Sequence, residues 1–150
     1  MTQILSAFIR DANFIPITNK GLITSKSITY IAGTTGAVGA TTLFTVTGTV
    51  IVNIFAVCSS ADLTGGGTLE VGIVGNTAGL IALTTGTAID VGEVWVDTTP
   101  ATIEAPLTDK IITAGTDIIQ TIATDTITAG TLTYYCLWNP ISSDGDVVAV

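Results

Sequence analysis

From Val50 to Cys58 apolar residues take every second position, with Val50, Val52, Ile54, Ala56 and Cys58 on one face of an extended chain and Ile51, Phe55 and Val57 on the other. A period of two is that of a β-strand, and a strand apolar on both faces is expected to lie centrally, covered on both sides. Leu43–Thr47 is expected to pair with it as a hairpin through Gly48 and Thr49, because glycine turns at positive φ without a steric cost.

The same alternation recurs along the chain. Ser27–Ala32 predicts a strand, and Gly33–Gly39, with three glycines, a flexible loop. Thr68–Val74 sets Leu69, Val71 and Ile73 inward against Glu70 outward, and Gly75-Asn76 turns it into Leu80–Thr84 as a hairpin. In Glu93–Asp97, Val94 and Val96 point one way and Trp95 the other, which places Trp95 near the surface. Asp117–Ala123 predicts a further strand. In Thr131–Trp138 the residues Leu132, Tyr134, Cys136 and Trp138 share one face, and Pro140 ends the run. Ile112–Thr116 and Ile127–Thr131 are identical five-residue pieces, read as two equivalent turns before strands. Ser142–Asp146 is a turn, and Val147–Val150 a short apolar tail.

Turn signals thus recur about every ten residues, and no stretch shows apolar spacing of three and four between helix caps. The fold class expected is all-β, an antiparallel β-sandwich or jelly roll, with a Thr-rich β-solenoid as the runner-up. Residues 1–26 alternate short apolar pieces with charges and contain Pro16, so they are expected to form an extended N-terminal arm in front of a domain spanning residues 27–150, with an edge strand of the same domain as the alternative.

Charge sharpens that division. Only 11% of the 150 residues are charged, less than half the usual fraction of about 25%. Arg10, Lys20 and Lys26 against Asp11 leave the first 26 residues at +2, whereas Lys110 against eleven acids leaves the remainder at −10. An acidic body repels phosphates, so no nucleic-acid partner is expected. The uncharged run from Ser27 to Ala61 is too rich in Thr, Gly and Asn to span a membrane, and the N-terminus lacks the basic opening of a signal peptide. No membrane partner and synthesis in a reducing cytoplasm are therefore expected, with Cys58 and Cys136 as buried thiols.

The chain has no His, so a Ser-His-Asp or Cys-His centre cannot form, and two thiols do not complete a zinc site. Glu70, Glu93 and Glu104 are the acids that could converge for glycoside hydrolysis, but sugar sites usually offer more aromatic platforms than the 6% present here; Asp144 and Asp146 are the pair that could touch calcium, and a solvated turn is expected there. The expectation is a protein without catalytic residues, metal or cofactor. Trp95 and Trp138 are candidate interface anchors or sugar platforms, with core packing the simpler role.

Two segments carry a family resemblance. Residues 10–17, Arg-Asp-Ala-Asn-Phe-Ile-Pro-Ile, resemble an opening found in small structural proteins of tailed-bacteriophage virions. Residues 128–140, Thr-Ala-Gly-Thr-Leu-Thr-Tyr-Tyr-Cys-Leu-Trp-Asn-Pro, with Ser143-Asp144-Gly145, resemble the C-terminus of capsid-associated phage proteins. Together they cover about a fifth of the chain. The resemblance implies a β-sandwich homotrimer that decorates or stabilises the outer capsid surface of a virion, with the major capsid protein and itself as partners. Ile4, Leu5, Arg10, Phe14, Ile15, Ile17 and Lys20 of the arm are the expected capsid or subunit contacts, through apolar anchors and opposite charge. The competing expectation is a carbohydrate- or receptor-binding module of a head fibre or tail component.

Overall fold

A computed structural model describes residues 21–105, 108–113 and 115–150. Two antiparallel five-stranded sheets pack face to face as a β-sandwich, so the solenoid alternative falls. The first sheet runs β1 (Leu22–Thr29), β9 (Thr131–Pro140), β3 (Val50–Cys58), and the far edge of β3 carries both β6 (Val94–Trp95) and β7 (Lys110–Ile112). In the second sheet the order is β10 (Asp146–Ala149), β2 (Gly39–Thr47), β8 (Ile118–Ala123), β4 (Thr68–Ile73), β5 (Asn76–Thr85).

The central strand is where alternation puts it, between β9 and the short β6 and β7, but its partner differs from the expected one. β2 lies in the opposite sheet, and β3 pairs along its whole length with β9, from Val50↔Pro140 to Cys58↔Leu132. Leu43, Phe44 and Val46 of β2 and the Val50–Cys58 face of β3 are all buried. Joining them across the core brings two apolar faces together, whereas a flat hairpin would set them side by side. Gly48 makes this corner at φ +62, under Ser142 and Asp144, and the Ser142 hydroxyl accepts the Thr49 amide at 2.7 Å. Of the connections between successive strands in these sheets, β4 to β5 is the adjacent antiparallel hairpin, as expected from Gly75-Asn76.

Trp95 is a second correction: it is fully buried, and Val94 and Val96 are the half-buried residues. β6 pairs with β3 at Ala56↔Trp95, which turns the indole inward, and burying that large apolar surface outweighs the two valines. β1 opens at Leu22, so residues 22–26, grouped with the arm on sequence pattern, are strand. The apolar tail is strand too: Val147 is buried where β10 pairs with β2.

At one end of the sandwich, turns close over the core. Ile127 is buried there, its amide donating to the Gly36 carbonyl at 2.9 Å, and Leu63 and Ile89 are buried with it. A Cβ on Gly36 would lie 1.8 Å from the Ile127 oxygen, so the loop expected to be free is pinned by a backbone contact that only glycine permits.

A candidate interaction face on the first sheet

Register determines which side chains leave the core. In the rows Ile23↔Leu137↔Asn53 and Ser25↔Tyr135↔Phe55, each member alternates with a core-facing neighbour, so these residues form the outer surface of the first sheet. Ile51 and Val57 extend the β3 stripe in both directions. Across the middle, the Phe55 and Tyr135 rings stack with centroids 5.1 Å apart and planes 19° from parallel. Ile23 is 65% exposed and Ile111, on the far edge, 66%. Among the described residues no element lies over this face, which departs from the expectation of a strand covered on both sides.

Around the apolar centre lies a polar border of Ser, Thr and Asn, with the Asp109 carboxylate at its β7 end. Ser27 and Thr133 share a hydrogen bond of 2.8 Å, and Thr29 and Thr131 one of 3.0 Å. Asn53 donates to Asp109 at 2.8 Å, and its own carbonyl oxygen has no partner. The outward rows of β1, β9 and β3 carry no ionisable carboxyl or amine. The second sheet differs: Glu70 pairs with Thr121 on its outer side and Asp146 with Thr47.

Elsewhere the side chains are engaged structurally. Lys26 points inward from β1 and donates to the Thr42 and Val150 carbonyls, closing the open side between β1 and β2. An inward lysine also guards an edge strand against pairing. A recess of about 450 Å³ remains there, lined by Lys26, Thr29, Thr34, Thr35 and Thr41 among others, and one of about 380 Å³ opens on the other side by Leu80, Val96, Asp97 and Lys110. Neither gathers a set of converging acids or nucleophiles. Glu70 lies on the second sheet, whereas Glu93 sits beside β6 of the first with its carboxylate accepting the Asp90 amide at 2.9 Å. Asp146 accepts the Val147 amide at 2.9 Å. Among the described residues no group of three or more Cys, Asp or Glu is placed to hold a metal ion.

Both cysteines are free and buried. Burial pushes the Cys136 thiol up to about 12; burial, and then the acids Asp62, Asp90 and Glu93 around it, also raise that of Cys58, whose Sγ donates to the Ala61 carbonyl. Deep in the core Tyr30 and Tyr134 meet Gln120, and desolvation raises both phenols well above their ordinary range. A thiol or phenol held protonated in this way is a poor nucleophile.

The arm residues singled out on sequence grounds, Ile4, Leu5, Arg10, Phe14, Ile15, Ile17 and Lys20, lie outside the described residues. The outer face was partly legible: Ile51, Phe55 and Val57 mark an apolar second side of β3, but Ile23, Tyr135 and Leu137 join it only through pairings across 80 or more residues of chain. No family model, curated protein or solved structure matches this chain.

Proposed function

We propose that this chain is a non-enzymatic structural protein of a virion, one that joins the outer capsid surface as a decoration or stabilising subunit and assembles with copies of itself as a homotrimer. The observation that carries the reading is the outer face of the first sheet, apolar at its centre and with no charged side chain in the outward rows of β1, β9 and β3, on a chain whose net charge is −8. Contiguous apolar surface of this kind marks a protein that works in an assembly. The virion assignment rests on the resemblance of residues 10–17 and 128–140 to phage structural proteins. In this reading the arm residues Ile4, Leu5, Arg10, Phe14, Ile15, Ile17 and Lys20 clamp the major capsid protein or a neighbouring subunit.

The test is co-sedimentation of the purified protein with capsids that lack it. Retention on the particles is expected, and removal of residues 1–20 is expected to abolish it while the sandwich still unfolds cooperatively. A protein that stays in the supernatant would overturn the reading. The half-buried, outward-facing pair Phe55 and Tyr135 is the feature that the alternative, a carbohydrate-binding module, would use, and a glycan array tests that alternative with the same preparation.

A further inference from the structure

We infer that the outer face of the first sheet is where copies of this chain meet, the outward rows of β1, β9 and β3 of one copy packing on the same rows of another. The inference rests on the assembly reading above and names the partner that this face receives.

Charge selects the partner. A chain of net −8 repels its own copies, and the repulsion is least where a surface carries few charges; on the outer face of the first sheet the Asp109 carboxylate beside Asn53 stands at the margin, outside the rows of β1, β9 and β3. The second sheet offers no such surface, since Glu70 and Asp146 on its outer side would approach their own counterparts. The outward residues of β1, β9 and β3 are Ile, Val, Leu, Phe, Tyr, Ser, Thr and Asn only. Nothing in that set favours a strongly charged partner, and nothing in it opposes a second copy of itself.

Size and composition agree. With the short β6 and β7 counted as a fourth strand beside β1, β9 and β3, widths of about 4.8 Å and a β3 length of about 30 Å bound a flat area of about 600 Å² per copy, somewhat below the ~800 Å² per partner of a standard specific interface. The stacked Phe55 and Tyr135 stand at the centre, flanked by Leu137 and Val57, with Ser, Thr and Asn at the border. Aromatic residues within a polar rim are the composition of a subunit interface. The geometry also accommodates three copies. Three sheets each about 19 Å wide, arranged around a threefold axis, would each lie about 5.5 Å from it, half the ~10 Å separation of packed sheets.

The test measures the mass of the full chain in solution by light scattering after size exclusion, apart from any capsid. A mass of two or more 15.3 kDa copies is expected. Tyr135→Lys and Phe55→Lys should each reduce it to one copy, and Ala40→Lys on the opposite outer face should not. Should the lysine variants fail to fold, Ser27→Cys gives an independent readout: mild oxidation should link it rapidly into a covalent dimer, while Ala40→Cys should stay single. A monomeric full chain, or an oligomer indifferent to both lysines and to the Ser27→Cys crosslink, would overturn the inference. A monomer in which removal of residues 1–20 increases binding of a hydrophobic dye would assign the face to the chain's own arm instead. Capsid binding by a monomer would refute self-association and leave the virion reading standing.

Discussion

The phenolic oxygens of Tyr30 and Tyr134 lie 2.9 Å apart, and each reaches the same Gln120 side-chain oxygen at 2.5 Å. Tyr134 belongs to the first sheet, Gln120 to the centre of the second, and Tyr30 follows β1, so this polar cluster ties the two layers together inside an apolar core. Gln120 is fully buried, and its amide nitrogen has no partner.

Removing the hydroxyls one at a time and together should therefore be non-additive. Tyr30→Phe or Tyr134→Phe alone leaves the Gln120 oxygen with the other phenol and should cost about 1 kcal/mol. The double variant strands the buried amide, whose uncompensated burial costs roughly 1–3 kcal/mol, so its loss should exceed the sum of the singles by about 1 kcal/mol or more. Urea unfolding of the four proteins measures this. Strict additivity would show that the two phenols do not share the acceptor.

The same phenols impose an alkaline limit. A raised folded-state pKa means that above the ordinary phenol value of 10.0 the unfolded chain releases protons that the folded chain retains. Fewer protons bound in the unfolded state make the slope of stability against pH negative. The thiols act in the same sense from their ordinary value of 9.0 upward. Stability from these four groups is thus fully present below about pH 8, falls from about pH 9 and falls faster above 10, by up to about 1.4 kcal/mol per pH unit for each of Cys136, Tyr30 and Tyr134. Urea midpoints at half-unit steps from pH 8 to 11 give the curve, and a flat profile would contradict it. Tyr30→Phe should remove part of the steeper section.

Alkylation tests the thiols directly. Cys58 and Cys136 are buried on the core side of β3 and β9 and kept protonated there, so neither should react at neutral pH in the native protein, and both should react in denaturant. Intact mass distinguishes zero, one and two adducts. Rapid native labelling of either residue would show that the core opens locally far more often than its packing implies.

The strands that were legible in the sequence are those with strict alternation. β3, β4, β8 and β9 are recovered within three residues at each end, because each buries one apolar face. The pairing was not legible, since the chain changes sheet at almost every turn and β3 meets β9 about 80 residues away; local turn chemistry at Gly48 carries no information about which layer the next strand joins. β1 lacks alternation because its inward positions include Thr24, which accepts the Trp138 indole N–H at 2.9 Å, and Lys26. Alternation misleads at Trp95, which shares its face with the charged Glu93 and Asp97: β6 spans only Val94–Trp95, so those acids stand outside the strand while the indole is buried. The interaction face shows its β3 half in sequence, and the other half appears only when β9 and β1 are set beside it.

Gly48 should tolerate no side chain. Its φ of +62 is left-handed, and an added Cβ would lie 2.4 Å from the Ser142 oxygen and 2.7 Å from the Gly145 nitrogen. Gly48→Ala carries about 1–2 kcal/mol of backbone strain, and displacing Ser142 from the Thr49 amide adds about 1 kcal/mol. A total near 2–3 kcal/mol is expected in chemical unfolding. Thr49→Ala, which keeps both the turn conformation and the backbone amide, should cost far less. Equal losses would mean that the corner is not held by this glycine.

Ala56 is the smallest residue of the central stripe. It is fully buried, and its two cross-strand partners are Trp95 on β6 and Tyr134 on β9, the two largest of the fully buried side chains alongside Tyr30. An alanine between two large rings is a volume match, and the inward turn of Trp95 depends on it. Ala56→Leu adds three carbons between the two rings that flank it and should cost about 1–3 kcal/mol through overpacking, with Trp95 displaced toward solvent. Trp95→Ala fails in the opposite way, leaving a cavity at a cost of about 3–5 kcal/mol. Combining the two lets leucine fill part of the space that the indole vacates, so the double variant should be more stable than Trp95→Ala alone. Tryptophan fluorescence reports the displacement, since Trp138 is the only other indole, and urea unfolding gives the energies. A double variant less stable than Trp95→Ala would show that Ala56 and Trp95 do not share one packing space.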